Sequence, residues 1–241
     1  MKEVHENKNA VIQFKDVVRT YGEGEAVQYA VNHVDFTIYE GEFAVILGQS
    51  GAGKSTVLNM LGGMDQPTNG QVFIDGEEVS SMNERQLSDF RAAKIGFIFQ
   101  FYNLIPSLTA YENVALTKSI VKNAKDAAMA LEEVGLTAHR DKFPAQLSGG
   151  EQQRVSIARA LAKNPRIILG DEPTGALDSE TGKIVLELLQ KQSRQNHHTV
   201  VLVTHNADIA KCADKIIRMK NGKIVEITAN ENPLSVEEVA W

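Results

Sequence analysis

A glycine-rich segment, GQSGAGKST, has the residue types and spacing for binding phosphate groups. Gly48, Gly53, Lys54 and Ser55 form the pattern Gly-x-x-x-x-Gly-Lys-Ser. In this pattern the glycines let backbone N–H groups surround phosphate oxygens, the lysine reaches the β- and γ-phosphates, and the serine hydroxyl ligates Mg²⁺. We therefore predict a nucleoside triphosphate site, whose base this segment leaves open. The predicted contacts are Gly48, Gln49, Ser50, Gly51, Ala52, Gly53, Lys54, Ser55 and Thr56.

A pair of carboxylates follows the apolar run of RIILGDEP, where Asp171 and Glu172 are adjacent. Two carboxylates at the end of a buried strand are costly unless a cation or water meets them. Asp171 is suited to hold Mg²⁺, usually through water, and Glu172 is suited to polarise an attacking water as a general base. The alternative is that the two acids only cap the next element, and the presence of a phosphate loop in the same chain disfavours it.

The segment LSGGEQQR, residues 147–154, is the third candidate. Ser148 and Glu151 have the spacing of a capping box that opens a helix. Gly149 and Gly150 are unfavourable in an ordinary first helical turn, and we expect them where a second anion approaches the helix N-terminus. Because the chain already has one phosphate loop, the segment indicates a site shared between two subunits.

Hydrophobic patterning places these segments at the ends of predicted elements. The runs FAVIL, KIGFIFQ, RIILGDE and TVVLVTH are short and continuous, as is typical of buried parallel strands. The first part of the chain, from Val11, alternates in the manner of an antiparallel sheet, and helical patterns lie between the later runs. Strand–helix alternation predicts an α/β fold with a parallel core sheet covered on both faces.

Composition narrows the function further. The chain has 241 residues, 43% of them apolar, which is enough for one large α/β domain. Its formal net charge of −6 disfavours binding to nucleic acid, so no nucleic-acid partner is expected. The single cysteine, Cys212, excludes an internal disulfide. We see no signal peptide and no run near ~18 apolar residues, so any membrane role is expected to come through a partner.

In order and over essentially its whole length, these motifs resemble those of the nucleotide-binding subunits of ABC transporters. The resemblance rests on GQSGAGKS, LSGGEQQR and IILGDEP followed by TGALD. It implies a P-loop NTPase fold with a RecA-like parallel core sheet, an antiparallel β subdomain and an inserted α-helical subdomain. It also implies an ATPase with ATP and Mg²⁺ as cofactors. Two copies are expected to pack head to tail, with Ser148 and Gly150 of one facing the ATP of the other.

Four further residues take roles from this resemblance alone. Tyr21 resembles the aromatic that stacks on adenine, although a plain strand aromatic is the alternative. Gln100 resembles the glutamine that contacts Mg²⁺ and the attacking water, Asp178 the carboxylate that crosses the dimer interface, and His205 the histidine that contacts the γ-phosphate. The predicted catalytic residues are Glu172, His205, Lys54 and Gln100, and the predicted metal ligands are Ser55, Gln100 and Asp171.

The predicted organisation is one ATPase domain between two tails. Residues 1–10 are predicted to be a polar tail, 11–225 the domain, and 226–241 a C-terminal tail. Within the domain, 11–101 and 162–225 form the core and β subdomain, and 102–161 the helical subdomain. One departure from the family pattern is Gly170, where alanine or a larger residue is usual, and we expect looser strand packing there.

The segments FQFYNLIPSLTAYENVAL and EPTGALDSETG resemble the LolD, MacB and FtsE branch. The resemblance implies a permease partner with a large extracytoplasmic domain, and a location at the cytoplasmic face of the cell membrane, peripheral through that permease. Export, lipoprotein, peptide or drug handling and mechanotransmission stay open. The alternative is a soluble ABC ATPase acting on DNA or ribosomes. The single domain, the short helical part and the acidic charge disfavour it.

Overall fold

A computed structural model of the chain describes residues 9–239. Most of the predicted N-terminal tail, 1–10, and the last two residues of the predicted C-terminal tail lie outside the described part. No helix among residues 9–239 combines the length and apolar character needed to cross a membrane.

Ten strands form two sheets within the described residues. Their bounds are β1 Ala10–Tyr21, β2 Gln28–Tyr39, β3 Phe43–Leu47, β4 Asn69–Ile74, β5 Glu77–Glu78, β6 Ile95–Ile98, β7 Ile167–Asp171, β8 Thr199–Thr204, β9 Lys215–Lys220 and β10 Lys223–Ala229. The first sheet has the order β2-β1-β4-β5 and is antiparallel. The second has the order β10-β9-β3-β8-β7-β6. In it only the β9–β10 pair is antiparallel.

Eight α-helices accompany the strands in the described part. They are α1 Lys54–Leu61, α2 Glu84–Lys94, α3 Ala110–Ala115, α4 Thr117–Ile120, α5 Ala127–Glu133, α6 Gly149–Ala162, α7 Ser179–Arg194 and α8 Ala207–Ala210. The two sheets and the helices bury two apolar clusters, one on each face of the core sheet. The predicted α/β fold of a P-loop NTPase, with a mainly parallel core sheet and an antiparallel sheet, is confirmed.

Local sequence signals account for many element ends. Asp75–Gly76 and Asn221–Gly222 have positive φ angles and turn the β4–β5 and β9–β10 hairpins, as predicted from Asx-Gly pairs. Ser148 and Glu151 form the predicted capping box that opens α6.

Helix α6 lies between two parts of the molecule. It packs against the helices α3 and α5 and also against β6 and α7 of the core. The predicted limits of the helical subdomain, 102–161, therefore remain a proposal.

Part of the segment after residue 225, which we predicted to be a C-terminal tail, pairs with the core sheet or is buried, and the predicted domain limits stay a prediction. Strand β10 continues past residue 225 to Ala229, because its backbone pairs with β9 as far as Lys215. Beyond it, Val236 and Val239 are buried in the apolar cluster that contains α7. The acidic sequence around these two valines gave no indication that they would be buried in the core.

The order of the core sheet brings the candidate residues together. Strands β3, β8, β7 and β6 are neighbours and parallel, so their carboxyl ends meet at one edge. In register, Leu47 lies beside Thr204 and Val203 beside Asp171. Each of these four strands is followed by one predicted site segment, and this edge is where ligands bind in open α/β sheets.

Candidate nucleotide site

The glycine loop joins β3 to α1 and curls tightly against the rest of the core. Gly53 has φ +97°, and a Cβ atom there would overlap the carbonyl oxygen of Ala30. A Cβ on Gly48 would lie 2.5 Å from the carbonyl oxygen of Met219. Close backbone approach therefore requires glycine at both positions.

Lys54 is 8% exposed, and its Nζ donates a hydrogen bond of 3.1 Å to the carbonyl oxygen of Gln49. The ammonium group is thus held over the loop and needs no large movement to meet a phosphate, which forms stronger charge-assisted hydrogen bonds than a carbonyl does. The first backbone N–H groups of α1 add the positive end of the helix dipole.

A cavity of about 750 Å³ opens above the loop. Its lining comprises Ala30, Gln49, Ser50, Gly51, Ala52, Gly53, Lys54, Ser55, Thr56, Gln100, Asp171, Glu172 and His205. The fold thus brings residues from the ends of four strands to one cavity. Gly48 lies beneath the loop and lines a smaller neighbouring cavity instead.

Asp171 ends β7 and faces the serine of the glycine loop. Ser55 Oγ lies 3.4 Å from Asp171 Oδ1, as donor to the carboxylate. Burial raises the pKa of Asp171, and the Glu172 carboxylate acts in the same direction, while Ser55 and Lys54 oppose both. A hydroxyl and a carboxylate whose charge is poorly compensated are the oxygen ligands that Mg²⁺ prefers, so this pair fits the ion.

Glu172 is the most constrained of the catalytic candidates. Its φ of +44° is unusual for a residue with a side chain. Thr204 Oγ1 donates to Oε2 over 2.9 Å, and His205 Nδ1 lies 2.9 Å from Oε1. Each carboxylate oxygen keeps a second lone pair, so the cavity side can still accept a hydrogen bond from water.

Thr204 is a site residue that our sequence reasoning missed. It is 1% exposed, and its hydroxyl also accepts a hydrogen bond of 3.1 Å from the backbone N–H of Asn206. The available signal was a hydroxyl closing the otherwise apolar run TVVLV, directly before the candidate histidine.

Gln100 follows β6 and also lines the cavity. The chain after Glu172 passes close to it, since a Cβ on Gly175 would lie 3.4 Å from Gln100 Nε2. The two catalytic candidates from β6 and β7 therefore share one wall.

Tyr21 is not among the residues that line the cavity. It ends β1 and is 46% exposed. Its hydroxyl donates to Asp65 Oδ2 over 2.6 Å, and the guanidinium of Arg19 lies over its ring at 4.6 Å. One face of the ring is covered in this way, and stacking on adenine stays a prediction for the other face.

The segment LSGGEQQR contributes no residue to the cavity lining of its own chain. Ser148 Oγ accepts a hydrogen bond of 3.3 Å from Glu151 N, and Glu151 Oε2 accepts one of 2.7 Å from Ser148 N. The hydrogen bond from the Ser148 backbone N–H is the largest cause that lowers the pKa of Glu151, and the Ser148 side chain acts in the same direction against burial.

The two glycines of this segment have a reason within the chain that the sequence did not reveal. A Cβ on Gly150 would overlap Thr181 Cγ2 on α7, and one on Gly149 would lie 2.9 Å from the hydroxyl of Tyr102. Close packing against α7 therefore favours glycine at position 150 whether or not an anion approaches, whereas the flexible Tyr102 side chain can move away from a Cβ at position 149. Gly150 thus has a packing role that our reasoning from the sequence did not include.

Asp178 is the N-cap of α7. Its Oδ1 accepts from Thr181 N at 3.0 Å and its Oδ2 from Thr181 Oγ1 at 2.8 Å. These bonds, the backbone one first, lower the pKa of Asp178. The carboxylate is thus a helix cap in the single chain, and its contact with a second copy stays a prediction.

The parallel core sheet, the glycine loop at the end of β3 and the acidic end of β7 define a phosphate-loop NTPase. The family model described as ABC transporter matches residues 31–175. The uncharacterized ABC transporter ATP-binding protein MJ0796 of Methanocaldococcus jannaschii is 46% identical over 223 residues, which are 89% of this chain and 95% of that protein. The chain belongs to the ABC transporter family, and it is an ATP-binding subunit that hydrolyses ATP.

Two further comparisons bear on the branch and on assembly. The macrolide export ATP-binding/permease protein MacB of Mannheimia succiniciproducens is 46% identical over 223 residues, covering 90% of this chain and 34% of MacB. A dimeric structure of MJ0796 in a post-hydrolysis state with ADP and Pi has a TM-score of 0.84 at 43% identity, covering 92% of this chain and 99% of the other. These similarities to MacB and MJ0796 over most of the chain confirm the predicted branch of LolD, MacB and FtsE type.

Proposed function

We propose that two copies of the chain bind ATP between them, each ATP contacting the glycine loop of one copy and Ser148 and Gly150 of the other. The observation that carries this proposal is that LSGGEQQR contributes nothing to the cavity of its own chain, although residues of the glycine loop, Gln100, the pair Asp171 and Glu172, and His205 all line it. The dimeric structure of the relative supports it. Binding would close the dimer, and loss of the γ-phosphate would let it open.

The reaction in each site is attack of water on the γ-phosphate. Lys54 and the backbone N–H groups of the glycine loop hold the phosphates and stabilise their charge. Glu172 accepts the proton of the attacking water, and its hydrogen bonds to Thr204 and His205 fix the direction in which its carboxylate faces. Gln100, which shares a wall of the cavity with Glu172, orients the same water.

Ser55, Asp171 and Gln100 would hold Mg²⁺. When bound, the ion neutralises phosphate charge as it develops on the transferring group. The 3.4 Å approach of Ser55 Oγ to Asp171 Oδ1 supports this role, because it puts two oxygen ligands side by side. Tyr21 would stack on adenine through the ring face that Arg19 leaves open.

We further propose that the dimer drives a membrane permease with a large extracytoplasmic domain, so that the chain sits on the cytoplasmic face of the membrane. The name of MacB joins an ATP-binding part and a permease. Large apolar side chains are exposed at several positions within residues 101–120, the segment that follows Gln100, and this segment is our candidate docking surface. These side chains are Phe101, Ile105, Leu116 and Ile120. No comparison favours the alternative of an ATPase acting on DNA or ribosomes.

The decisive experiment uses the variant Glu172→Gln. With Mg-ATP it should lose turnover, retain ATP and elute from size-exclusion chromatography as a dimer, because the amide cannot take the proton while every binding group remains. Lys54→Ala is the matched control and should lose ATP affinity and stay monomeric. Hydrolysis by Glu172→Gln near the wild-type rate would remove Glu172 from the role of base.

The trapped dimer also tests the partner. Tagged Glu172→Gln protein with Mg-ATP should recover a permease from native membranes. Recovery of ribosomes or DNA-bound proteins, with nothing from the membrane, would overturn the transporter proposal and leave the ATPase assignment intact.

A further inference from the structure

Gln153 lies in the second turn of α6, within LSGGEQQR, and the site as described so far gives it no part. Its side chain is fully buried, at 0% exposure. Its Nε2 donates a hydrogen bond of 2.8 Å to the carbonyl oxygen of Pro173 and a longer one of 3.4 Å to that of Phe99. Pro173 directly follows Glu172 in the chain, and Phe99 directly precedes Gln100. One buried amide thus touches the backbone beside both proposed catalytic residues.

The donor role of this amide is fixed by its surroundings. Both partners are backbone carbonyl oxygens, so the opposite orientation of the amide would place oxygen against oxygen. Among residues 9–239, no donor reaches Gln153 Oε1. A buried acceptor without a hydrogen-bond partner is unfavourable. The two hydrogen bonds donated by Gln153 Nε2 therefore hold the side chain in this position.

The backbone that Gln153 holds is unusual. Glu172 has a positive φ of +44°, a conformation that persists in a residue with a side chain only when its surroundings enforce it. On the side of the core sheet, Glu172 N donates to the carbonyl oxygen of Val203 over 3.0 Å. Gln153 supplies the restraint on the side of α6, one residue further along the chain.

Helix α6 also holds the other flank of Gln100. Arg159 Nη1 donates to the carbonyl oxygen of Asn103 over 2.6 Å, and Nη2 to that of Tyr102 over 3.0 Å. Tyr102 and Asn103 both have positive φ angles. Hydrogen bonds from α6 therefore lie on both sides of Gln100, and the same helix carries Ser148 at its N-terminus.

We propose that Gln153 is a positioning residue for ATP hydrolysis, fixing the backbone beside Glu172 and Gln100 to the helix that presents Ser148 to the second copy. This inference rests on the roles proposed above for Glu172 and Gln100. It means that the position of LSGGEQQR and the orientation of Glu172 and Gln100 in the same chain are not independent. A movement of α6 shifts both.

The test compares Gln153→Met with a matched control on another helix. Methionine keeps the length and volume of the side chain and removes the donor. Gln190 on α7 also donates to two backbone carbonyl oxygens, those of Leu234 at 3.0 Å and Cys212 at 3.4 Å, but it lies away from the cavity. Gln190→Met therefore measures what loss of such a pair costs in stability alone.

We expect Gln153→Met to lower kcat by about 10- to 100-fold, the effect of a displacement of catalytic groups by about 1 Å. The KM for ATP should change little, because the glycine loop is untouched. Gln190→Met should keep the wild-type kcat. If the two variants have the same kcat, Gln153 is a structural residue and the inference is wrong. This holds even if Gln153→Met has the lower melting temperature.

Gln153→Glu provides a second test should the methionine variant fail to fold. A protonated glutamic acid can donate to the Pro173 carbonyl oxygen, and a carboxylate cannot. Because position 153 is fully buried, we expect the introduced carboxyl group to have a strongly raised pKa. The kcat of this variant relative to wild type should therefore rise as pH falls from about 8 to about 6, and a ratio independent of pH overturns the inference. Gln100→Ala and Glu172→Gln serve as benchmarks in the same assay. If either hydrolyses ATP at the wild-type rate, the proposed function fails separately from the inference about Gln153.

Discussion

Gly170 offers the sharpest test of how the acidic strand is packed. From the sequence we expected looser packing, since the family usually has alanine or a larger residue there. The structure shows the opposite, because a Cβ on Gly170 would lie 2.6 Å from Leu202 Cδ2 on the neighbouring strand. Leu202 is 0% exposed and occupies the space that an alanine methyl would need. The glycine and the leucine are thus a complementary pair.

The change Gly170→Ala overpacks this place. Inserting a methyl group into a packed core costs about 1–3 kcal/mol, and replacing glycine by alanine returns about 0.4–1 kcal/mol through the unfolded chain. We expect a net loss near 1 kcal/mol, which is a fall of about 2–4 °C in melting temperature for a chain of this size.

The relieving change is Leu202→Val. Alone it should cost about 1 kcal/mol, because one buried CH₂ is lost. Combined with Gly170→Ala it should cost less than the sum, since the removed atoms are those that clash. Urea unfolding of the four proteins gives the coupling energy, which we expect to be at least about 0.5 kcal/mol in favour of the double variant. Additive costs would show that the contact does not control packing at this strand.

Three further predictions concern stability. Gly150→Ala should destabilise the fold, because its methyl group would clash with Thr181 Cγ2 and push α6 away from α7. Adding Thr181→Ser removes the clashing methyl group, so it should restore the melting temperature but not the ATPase activity. If the double variant regains both, packing is the only role of this glycine. Burial, reinforced by two nearby arginines, lowers the pKa of Lys163 to about 8. Because the unfolded lysine titrates near pH ~10.4, the unfolded state binds more protons between these values, so this group makes stability rise with pH across that window. Lys163→Met should flatten the rise in urea unfolding measured from about pH 7.5 to about pH 10, and an unchanged slope would contradict the assignment. Glu133→Ala should lower the free energy of unfolding by about 1–3 kcal/mol, because the buried amide of Gln192 loses its acceptor at 3.0 Å. A decrease of less than about 0.5 kcal/mol in urea unfolding would show that water replaces the carboxylate.

The sequence by itself determined the segments that carry the chemistry. A glycine loop, a capping box and an Asx-Gly hairpin act over a few consecutive residues, so their spacing is readable without the fold. Continuous apolar runs identified the parallel strands, and their order along the chain, with the family resemblance, predicted that the loop at Lys54 and the acids at Asp171 and Glu172 would meet. The structure brings them to one cavity.

Only the tertiary structure decided what surrounds those segments. Thr204 and Glu172 are 32 residues apart in the chain, and Gln153 reaches Phe99 across 54, so no local pattern connects them. The side chain that leaves no room for a Cβ at Gly150 lies on α7, and the one at Gly170 lies on β8. The hydroxyl of Tyr21 donates a hydrogen bond to Asp65, 44 residues away in the chain. Such contacts depend on which side chains the folded sheets and helices bring within a few ångströms. Packing of this kind is a property of the assembled core, and it leaves no spacing in the sequence from which it can be read.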